Sequence, residues 1–147
     1  MKKLLLTAAV AFSTLLASAQ FMVVTTYDDD QEENADKITA NLGVGYMIND
    51  AFTVGLKRST AHEGHDHDHA DEDDTYDIWA RYNIAQVEGA YATLEMPTED
   101  GSDNMKIGLG FSFNVWNGLY LEPNYTMPTS DDDDTEGTFN FGLSYRF

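Results

Sequence analysis

The clearest pattern along the chain is a strict alternation of apolar and polar residues over positions 137–147, which read GTFNFGLSYRF. The large apolar residues occupy every second position, namely Phe139, Phe141, Leu143, Tyr145 and Phe147. A period of two places these side chains on one face of a β-strand. The segment therefore predicts a strand with one apolar face, which finishes on an aromatic residue.

The same alternation recurs in seven earlier segments that are rich in β-branched and aromatic residues. Together they predict eight β-strands, over 20–27, 37–48, 51–58, 75–84, 87–96, 105–115, 119–127 and 137–147. The alternation is weakest over 87–96. Asn117-Gly118 is the strongest hairpin signal in the chain, and Asn49-Asp50 is a second tight-turn pair.

The connections between these strands alternate between long and short. The long ones cover 28–36, 59–74, 97–104 and 128–136, and they hold 21 of the 26 acidic residues, as six, seven, three and five respectively. In an up-and-down meander, alternate connections lie at the same end of the barrel. The net charge of −18 is therefore expected to concentrate at one end. So acidic a surface argues against nucleic-acid binding.

The first nineteen residues have the features of a secretory signal peptide. Lys2 and Lys3 precede an apolar run, and Ala17-Ser18-Ala19 predicts cleavage after Ala19, so that 1–19 is the signal peptide and 20–147 the folded domain. The apolar run is too short for a transmembrane helix, and no later stretch reaches the ~20 apolar residues required. Any membrane-embedded part must then be a closed β-barrel.

The signal peptide, the alternating connections and the final strand ending in Phe147 resemble small eight-stranded bacterial outer-membrane β-barrel proteins, the OmpA/OmpX-like barrels of the porin-like superfamily. The resemblance implies an all-β protein, with eight antiparallel strands in an up-and-down transmembrane barrel. It also implies location in the bacterial outer membrane, contact with lipid and a monomeric state. Tyr145 and Phe147 would then belong to the signal that the outer-membrane assembly machinery reads.

A soluble eight-stranded barrel of the lipocalin kind is the alternative architecture, because its strands also alternate with a period of two. Its exterior would carry the small residues of the non-apolar face, namely Gly43, Gly45, Gly55, Gly108, Gly110 and Gly142. In a membrane barrel the same glycines face a narrow lumen, where small residues fit. This second arrangement explains the pattern better.

The inward-facing positions carry a set of charged residues. They are Lys57, Asp77, Arg81, Glu88, Lys106, Glu122 and Arg146, which are four cations and three anions. Unpaired charges in a narrow lumen cost several kcal/mol each, so these residues are expected to pair in a salt-bridged plug. The alternative is a constricted solute pathway or a proton-coupled gate.

The connection 59–74 contains all four histidines of the chain. His62, Glu63, His65, Asp66, His67, Asp68 and His69 form a cluster of metal-ligand side chains. Imidazoles suit Zn, Cu and Ni, so the cluster is a candidate transition-metal site, and a solvated low-complexity loop is the alternative. The acidic connections could likewise associate loosely with Ca²⁺ or Mg²⁺, or be merely solvated.

No histidine lies on a predicted strand, so no rigidly held general base is visible and no enzymatic activity is expected. The sequence favours a structural or surface-interaction role without an open pore and without a required cofactor. A metal-binding or uptake accessory that uses 62–69 is the first alternative, and a narrow channel for small solutes is the second.

Overall fold

The computed structural model describes residues 20–27, 34–59, 75–98, 104–130 and 136–147. Within these ranges the chain forms β1 (Phe21–Thr26), α1 (Asp36–Thr39), β2 (Gly43–Met47), β3 (Phe52–Ser59), β4 (Thr75–Asn83), β5 (Ala90–Pro97), β6 (Lys106–Phe111), β7 (Phe113–Trp116), β8 (Leu119–Pro128) and β9 (Thr138–Arg146). The predicted signal peptide 1–19 and the histidine cluster lie outside the described residues. Among those described, no helix is long and apolar enough to cross a membrane.

The strands form one antiparallel sheet in the order β6-β5-β4-β3-β2-β1-β9-β8-β7, and β6 also pairs with β8. The β1–β9 and β6–β8 pairings close the sheet into a barrel. Gly110 pairs with Asn124, and Phe113 pairs with Leu121, so β6 and β7 meet β8 in the same register. They are therefore two halves of one strand, and the predicted eight-stranded antiparallel barrel is confirmed.

The interruption between β6 and β7 falls at Ser112, within the single strand predicted over 105–115. Continuing the register places Pro123 of β8 opposite Phe111. Proline has no backbone N–H to contribute to a ladder. On the side of β5, the N–H of Ser112 donates to the carbonyl oxygen of Gly89 at 2.8 Å, which keeps this part of the strand attached to the neighbouring turn.

Three short turns lie at one end of the barrel, which we call the short-turn end. In the β2–β3 turn, the side-chain oxygen of Asn49 accepts hydrogen bonds from the N–H groups of Ala51 and Phe52. The predicted Asn117-Gly118 hairpin turn is also present, with Gly118 at a φ of 85° that favours glycine. The strand ends that the four long connections join lie at the opposite, long-loop end.

The outer face of the barrel is apolar along every described strand, as the alternation predicts. Its exposed large side chains include Val44, Tyr46, Val54, Leu56, Ile78, Tyr82, Leu94, Ile107, Leu109, Phe139, Phe141 and Leu143. The inner face carries the buried residues, several of which are polar or charged. The barrel is therefore inverted relative to a soluble one, with its apolar side chains outside and its polar side chains inside.

The predicted strand over 37–48 is wrong in its first half, because the structure forms α1 there and starts β2 only at Gly43. The carbonyl oxygen of Ala35 accepts hydrogen bonds from the N–H groups of Ile38 and Thr39 and from the Thr39 hydroxyl. One helical turn thus satisfies the backbone locally. The spacing of Ile38 and Leu42 fits the pattern of a strand, but both residues lie outside the sheet.

The strand predicted over 87–96 begins only at Ala90, and its inward and outward positions are exchanged. Gly89 adopts a φ of 79°, so the alternation of the preceding residues does not continue into β5. Tyr91 is buried inside the barrel, whereas Leu94 is exposed outside it. Glu88, predicted to face inward, is consequently exposed in the turn.

Candidate functional site

The lumen of the barrel brings together charged side chains from six strands. On β4, Asp77, Trp79 and Arg81 all point inward and are buried, because they occupy alternate positions opposite the apolar outer face. These three residues mark successive levels along the barrel axis. Asp77 lies nearest the long-loop end, and Arg81 lies nearest the short-turn end.

The level nearest the short-turn end holds a cluster of one carboxylate and two guanidinium groups, which we call the arginine–glutamate cluster: Arg81, Glu122 and Arg146. The Arg81 Nη1 atom lies 2.8 and 2.9 Å from the two carboxylate oxygens of Glu122. Arg146 Nη2 donates to the same carboxylate at 3.0 Å. Ser112, beside the interruption between β6 and β7, donates to Glu122 and accepts from Arg146.

Two tyrosines hold the guanidinium groups of this cluster in place. The guanidinium carbon of Arg81 lies 3.7 Å from the ring centre of Tyr91, and that of Arg146 lies 3.9 Å from the ring centre of Tyr120. The Arg81 side chain is 3% exposed, and a desolvated contact of this type contributes about 2 kcal/mol, whereas the more exposed contact of Arg146 contributes about 0.5–1 kcal/mol. Arg81 also donates through Nε to the side chain of Asn83 at 2.9 Å. The cluster is therefore fixed by packing as well as by charge.

A second charged level lies nearer the long-loop end. Lys57 Nζ lies 2.7 Å from Glu95 Oε2, and these side chains are 13% and 16% exposed. We call them the lysine–glutamate pair. Asp77 is directly across from Lys57 in the β3–β4 register, and Lys106 is directly across from Glu95 in the β5–β6 register. This level therefore combines two cations with two anions, and it is more open than the level that holds the arginine–glutamate cluster.

Trp79 lies between the two charged levels, against a glycine window in the neighbouring strands. Gly45 and Gly55 are paired across β2 and β3, and Gly55 is paired with Trp79 across β3 and β4. A Cβ atom on Gly45 would lie 2.6 Å from the indole ring, and one on Gly55 would lie 2.7 Å from it. The indole can occupy the lumen only because both positions lack a side chain.

A cavity of about 60 Å³ lies in the lumen between the two charged levels. Its walls include the lysine–glutamate pair, Trp79, Thr93 and Asn124, together with Arg81 and Glu122. The walls thus offer both hydrogen-bond donors and hydrogen-bond acceptors. Their formal charges cancel, since two cations and two anions line the cavity.

The structure brings some of the predicted lumen charges together and separates others. Arg81, Glu122 and Arg146 meet in one cluster, whereas Lys57, Asp77 and Lys106 lie at the other level. Glu88 lies at neither charged level. Glu95, which was not among the predicted lumen charges, lines the lumen cavity instead. Its neighbours Leu94 and Met96 are apolar, and this local alternation is the signal that could have identified Glu95 as an inward residue.

Of the predicted assembly residues, Tyr145 lies on the outer face of β9 and Phe147 directly follows the strand, at the short-turn end. The rings of Tyr145 and Phe147 meet edge to face at 4.9 Å, and the N–H of Phe147 donates to the carbonyl oxygen of Phe21 at 3.0 Å. In the described part of the chain, no group of three or more histidine, cysteine or acidic side chains could hold a metal ion. The predicted histidine site falls outside that part.

Comparison with known proteins identifies the class of this barrel. A family model described as the outer membrane protein beta-barrel domain matches residues 5–147, and the chain belongs to that family. The solved backbone structure of the Yersinia pestis outer membrane protein Ail, in a phospholipid bilayer nanodisc, is similar to 88% of this chain over 99% of its own length, with 17% identity and a TM-score of 0.44. A search of curated proteins gives no significant match.

Family membership places the protein in the bacterial outer membrane, as the sequence predicts. The exposed apolar face described above is then the surface in contact with the lipid bilayer, and the buried polar face surrounds the lumen. The soluble lipocalin-like alternative is therefore excluded.

Proposed function

We propose that the protein is a small outer-membrane barrel without an open pore or an enzymatic activity, and that it acts in envelope structure or in surface interactions through its four long connections. The arginine–glutamate cluster is the observation that supports this proposal most directly. The side chains of Arg81 and Glu122, from strands on different sides of the lumen, are only 3% and 6% exposed.

The pairing of these charges favours a closed lumen over a conducting one. A continuous water column would solvate each charged group separately, whereas Glu122 here accepts hydrogen bonds from Arg81, Arg146 and Ser112. Breaking a buried pair leaves an uncompensated charge, which is strongly unfavourable. Opening the lumen would require these three contacts and the two tyrosine–guanidinium contacts to separate together.

The distribution of charge supports a surface role for the long-loop end. Outer-membrane barrels place their long loops outside the cell and their short turns in the periplasm. The four long connections carry 21 of the 26 acidic residues, so the cell-surface end of this barrel is strongly anionic. Such a surface favours cationic partners, and it favours loose association with Ca²⁺ or Mg²⁺ as counter-ions beside anionic head groups.

Two further proposals concern assembly and oligomeric state. The outer-membrane assembly machinery reads the last strand through Tyr145 and Phe147, whose rings lie side by side on the lipid-facing surface. The barrel works as a monomer, because the ladder closes within one chain and presents no open lateral seam between β1 and β9. Sedimentation of the purified barrel in detergent tests the second point, and a defined dimer would contradict it.

Conductance in planar bilayers tests the closed lumen. The purified barrel should show no stable channel steps, whereas the double variant R81A/E122A should show steps because it removes the central pair. The matched control is K57A/E95A, which removes an ion pair of the more open level and should remain closed. Reproducible steps from the unaltered barrel would contradict the proposal and support the narrow-channel alternative.

Complementation tests the surface role. A strain that lacks the protein should be more sensitive to detergent or less adherent to surfaces than its parent, and the unaltered chain should restore the parental property. A variant with Asp131, Asp132, Asp133 and Asp134 changed to Asn should assemble equally well but restore it less completely. Full restoration by this variant would show that the acidic charge of the last connection has no such role.

A metal-binding or uptake accessory is the second candidate function, and the histidine content of the β3–β4 connection favours it. His62, His65, His67 and His69 fall within eight residues. The connection leaves and re-enters the barrel at adjacent positions, since Ser59 pairs with Thr75 and the Thr75 hydroxyl donates to the Ser59 carbonyl oxygen at 2.6 Å. The cluster is thereby attached at the cell-surface end, where Zn, Cu or Ni ions would be met first.

A further inference from the structure

The indole N–H of Trp79 is a buried donor that the fold leaves without a protein partner. Trp79 is only 4% exposed, and its Nε1 atom has no hydrogen-bond acceptor among the residues that the structure describes. Leaving a buried polar group unsatisfied costs about 1–3 kcal/mol. Native proteins satisfy nearly all such groups with protein atoms or with ordered water. The donor therefore calls for a ligand that accepts a hydrogen bond.

The cavity beside Trp79 has the size and lining of a water site. Its volume of about 60 Å³ accommodates at least two water molecules, each of which occupies ~30 Å³ in the liquid. Glu95 and Glu122 supply acceptors to its wall, Lys57 and Arg81 supply donors, and Asn124 supplies both. A buried water needs two to four polar partners, and this wall provides them.

We propose that this cavity holds a cluster of ordered water molecules, one of which accepts the indole N–H of Trp79. The lining charges cancel, which favours a neutral occupant over an ion. Water can accept from the indole and still donate to the carboxylates. The half of the lumen nearer the short-turn end is thus filled by packed side chains, and the half nearer the long-loop end is hydrated.

The exposure of the two charged levels indicates how the water enters. The lysine–glutamate pair is 13% and 16% exposed, whereas the side chains of Arg81 and Glu122 are 3% and 6% exposed. Arg146, the third member of the arginine–glutamate cluster, is 23% exposed, so the closed part of this level is the contact between Arg81 and Glu122. Water therefore reaches the cavity from the cell-surface end and stops at that contact. The result is a vestibule that is closed toward the short-turn end. Such a vestibule is compatible with a barrel that does not conduct ions.

Nuclear magnetic resonance of the ¹⁵N-labelled barrel in lipid nanodiscs tests the proposal. The chain has two tryptophans, so the variant W116F leaves Trp79 as the single source of an indole N–H signal. That signal should show magnetisation transfer to water in spite of its position within the membrane. Transfer to lipid acyl protons, or to neither water nor lipid, would overturn the proposal.

A variant that fills the cavity separates internal water from general solvent exposure. Gly142 lines the cavity, and a Cβ atom there would lie 3.1 Å or more from its neighbours, so G142A can be accommodated. Combined with W116F, it should reduce the water signal at Trp79 while the unboiled barrel keeps its gel migration. Unchanged transfer in this variant would mean that the water seen by Trp79 does not lie in the cavity, and the proposal would fail.

Discussion

One guanidinium nitrogen of Arg81 on β4 lies 2.8 and 2.9 Å from the two carboxylate oxygens of Glu122 on β8. The two residues are 41 positions apart, and β5 and β6 separate their strands along the sheet. No local interaction brings them together. The contact exists because the sheet closes, and it joins different sides of the lumen.

Replacing Glu122 with Gln should destabilise the barrel strongly. The substitution keeps the shape of the side chain but leaves Arg81 and Arg146 together in the lumen without their shared counter-charge. Losing one partner of a buried pair costs about 3–5 kcal/mol, and we expect a decrease of that size in the free energy of unfolding. Urea titration of the detergent-refolded barrel, followed by the gel shift between unboiled and boiled protein, measures it.

The matched control for this prediction is E88Q, which makes the same chemical change at an exposed turn position. Its free energy of unfolding should stay within about 0.5 kcal/mol of the parent, as is usual for surface substitutions. Equal destabilisation by E88Q and E122Q would show that the loss of a carboxylate acts through net charge and not through the cluster.

Replacing Gly55 with Ala should displace Trp79 from the glycine window. The added Cβ would meet the backbone carbonyl oxygen of Val44 and would lie 2.7 Å from the indole ring, so both the neighbouring strand and the ring must move. Overpacking of this kind costs about 1–3 kcal/mol, which the same urea titration would detect. The control G142A adds the same methyl group where its nearest neighbour is 3.1 Å away, and it should cost less. A larger loss in G142A than in G55A would contradict the packing described here.

Replacing Phe147 with Ala should reduce the amount of barrel assembled in the outer membrane more than replacing Phe139 with Ala. Each phenylalanine lies on the lipid-facing side of the last strand and meets a neighbouring ring edge to face, Phe147 with Tyr145 at 4.9 Å and Phe139 with Phe141 at 5.2 Å. The two variants therefore lose similar contacts at opposite ends. Fractionation with quantitative immunoblotting compares them, and equal yields would argue against an assembly signal at Phe147.

The histidine connection should bind Zn²⁺ or Cu²⁺ through His62, His65, His67 and His69. Metal binding requires neutral imidazoles, so the affinity should fall as the pH decreases through about 6.5, the pKa of free histidine. Calorimetry on the purified barrel, beside a variant with all four histidines changed to Ala, measures the effect. Equal uptake by both proteins would assign any binding to the acidic residues and would remove the metal-binding alternative.

The candidate site was only partly predictable from the sequence. The alternation of inward and outward positions correctly predicted that Arg81, Glu122 and Arg146 face the lumen, because each lies on a strand whose opposite face is clearly apolar. It failed at Glu88, because the positive φ of Gly89 separates that residue from the alternation of β5. It also gave no information about partners, since Lys57 pairs with Glu95 of a strand that is not its neighbour.

Alternation and turn signals are local properties, so the lipid-facing surface, the antiparallel meander and the division into a short-turn end and a long-loop end could all be predicted from the chain. The folded barrel was needed to establish which charges share a carboxylate, why Trp79 needs Gly45 and Gly55, and where the lumen leaves space. Those features depend on the register between strands and on closure of the sheet. Both are set by many weak contacts across the whole barrel, and no single segment encodes them.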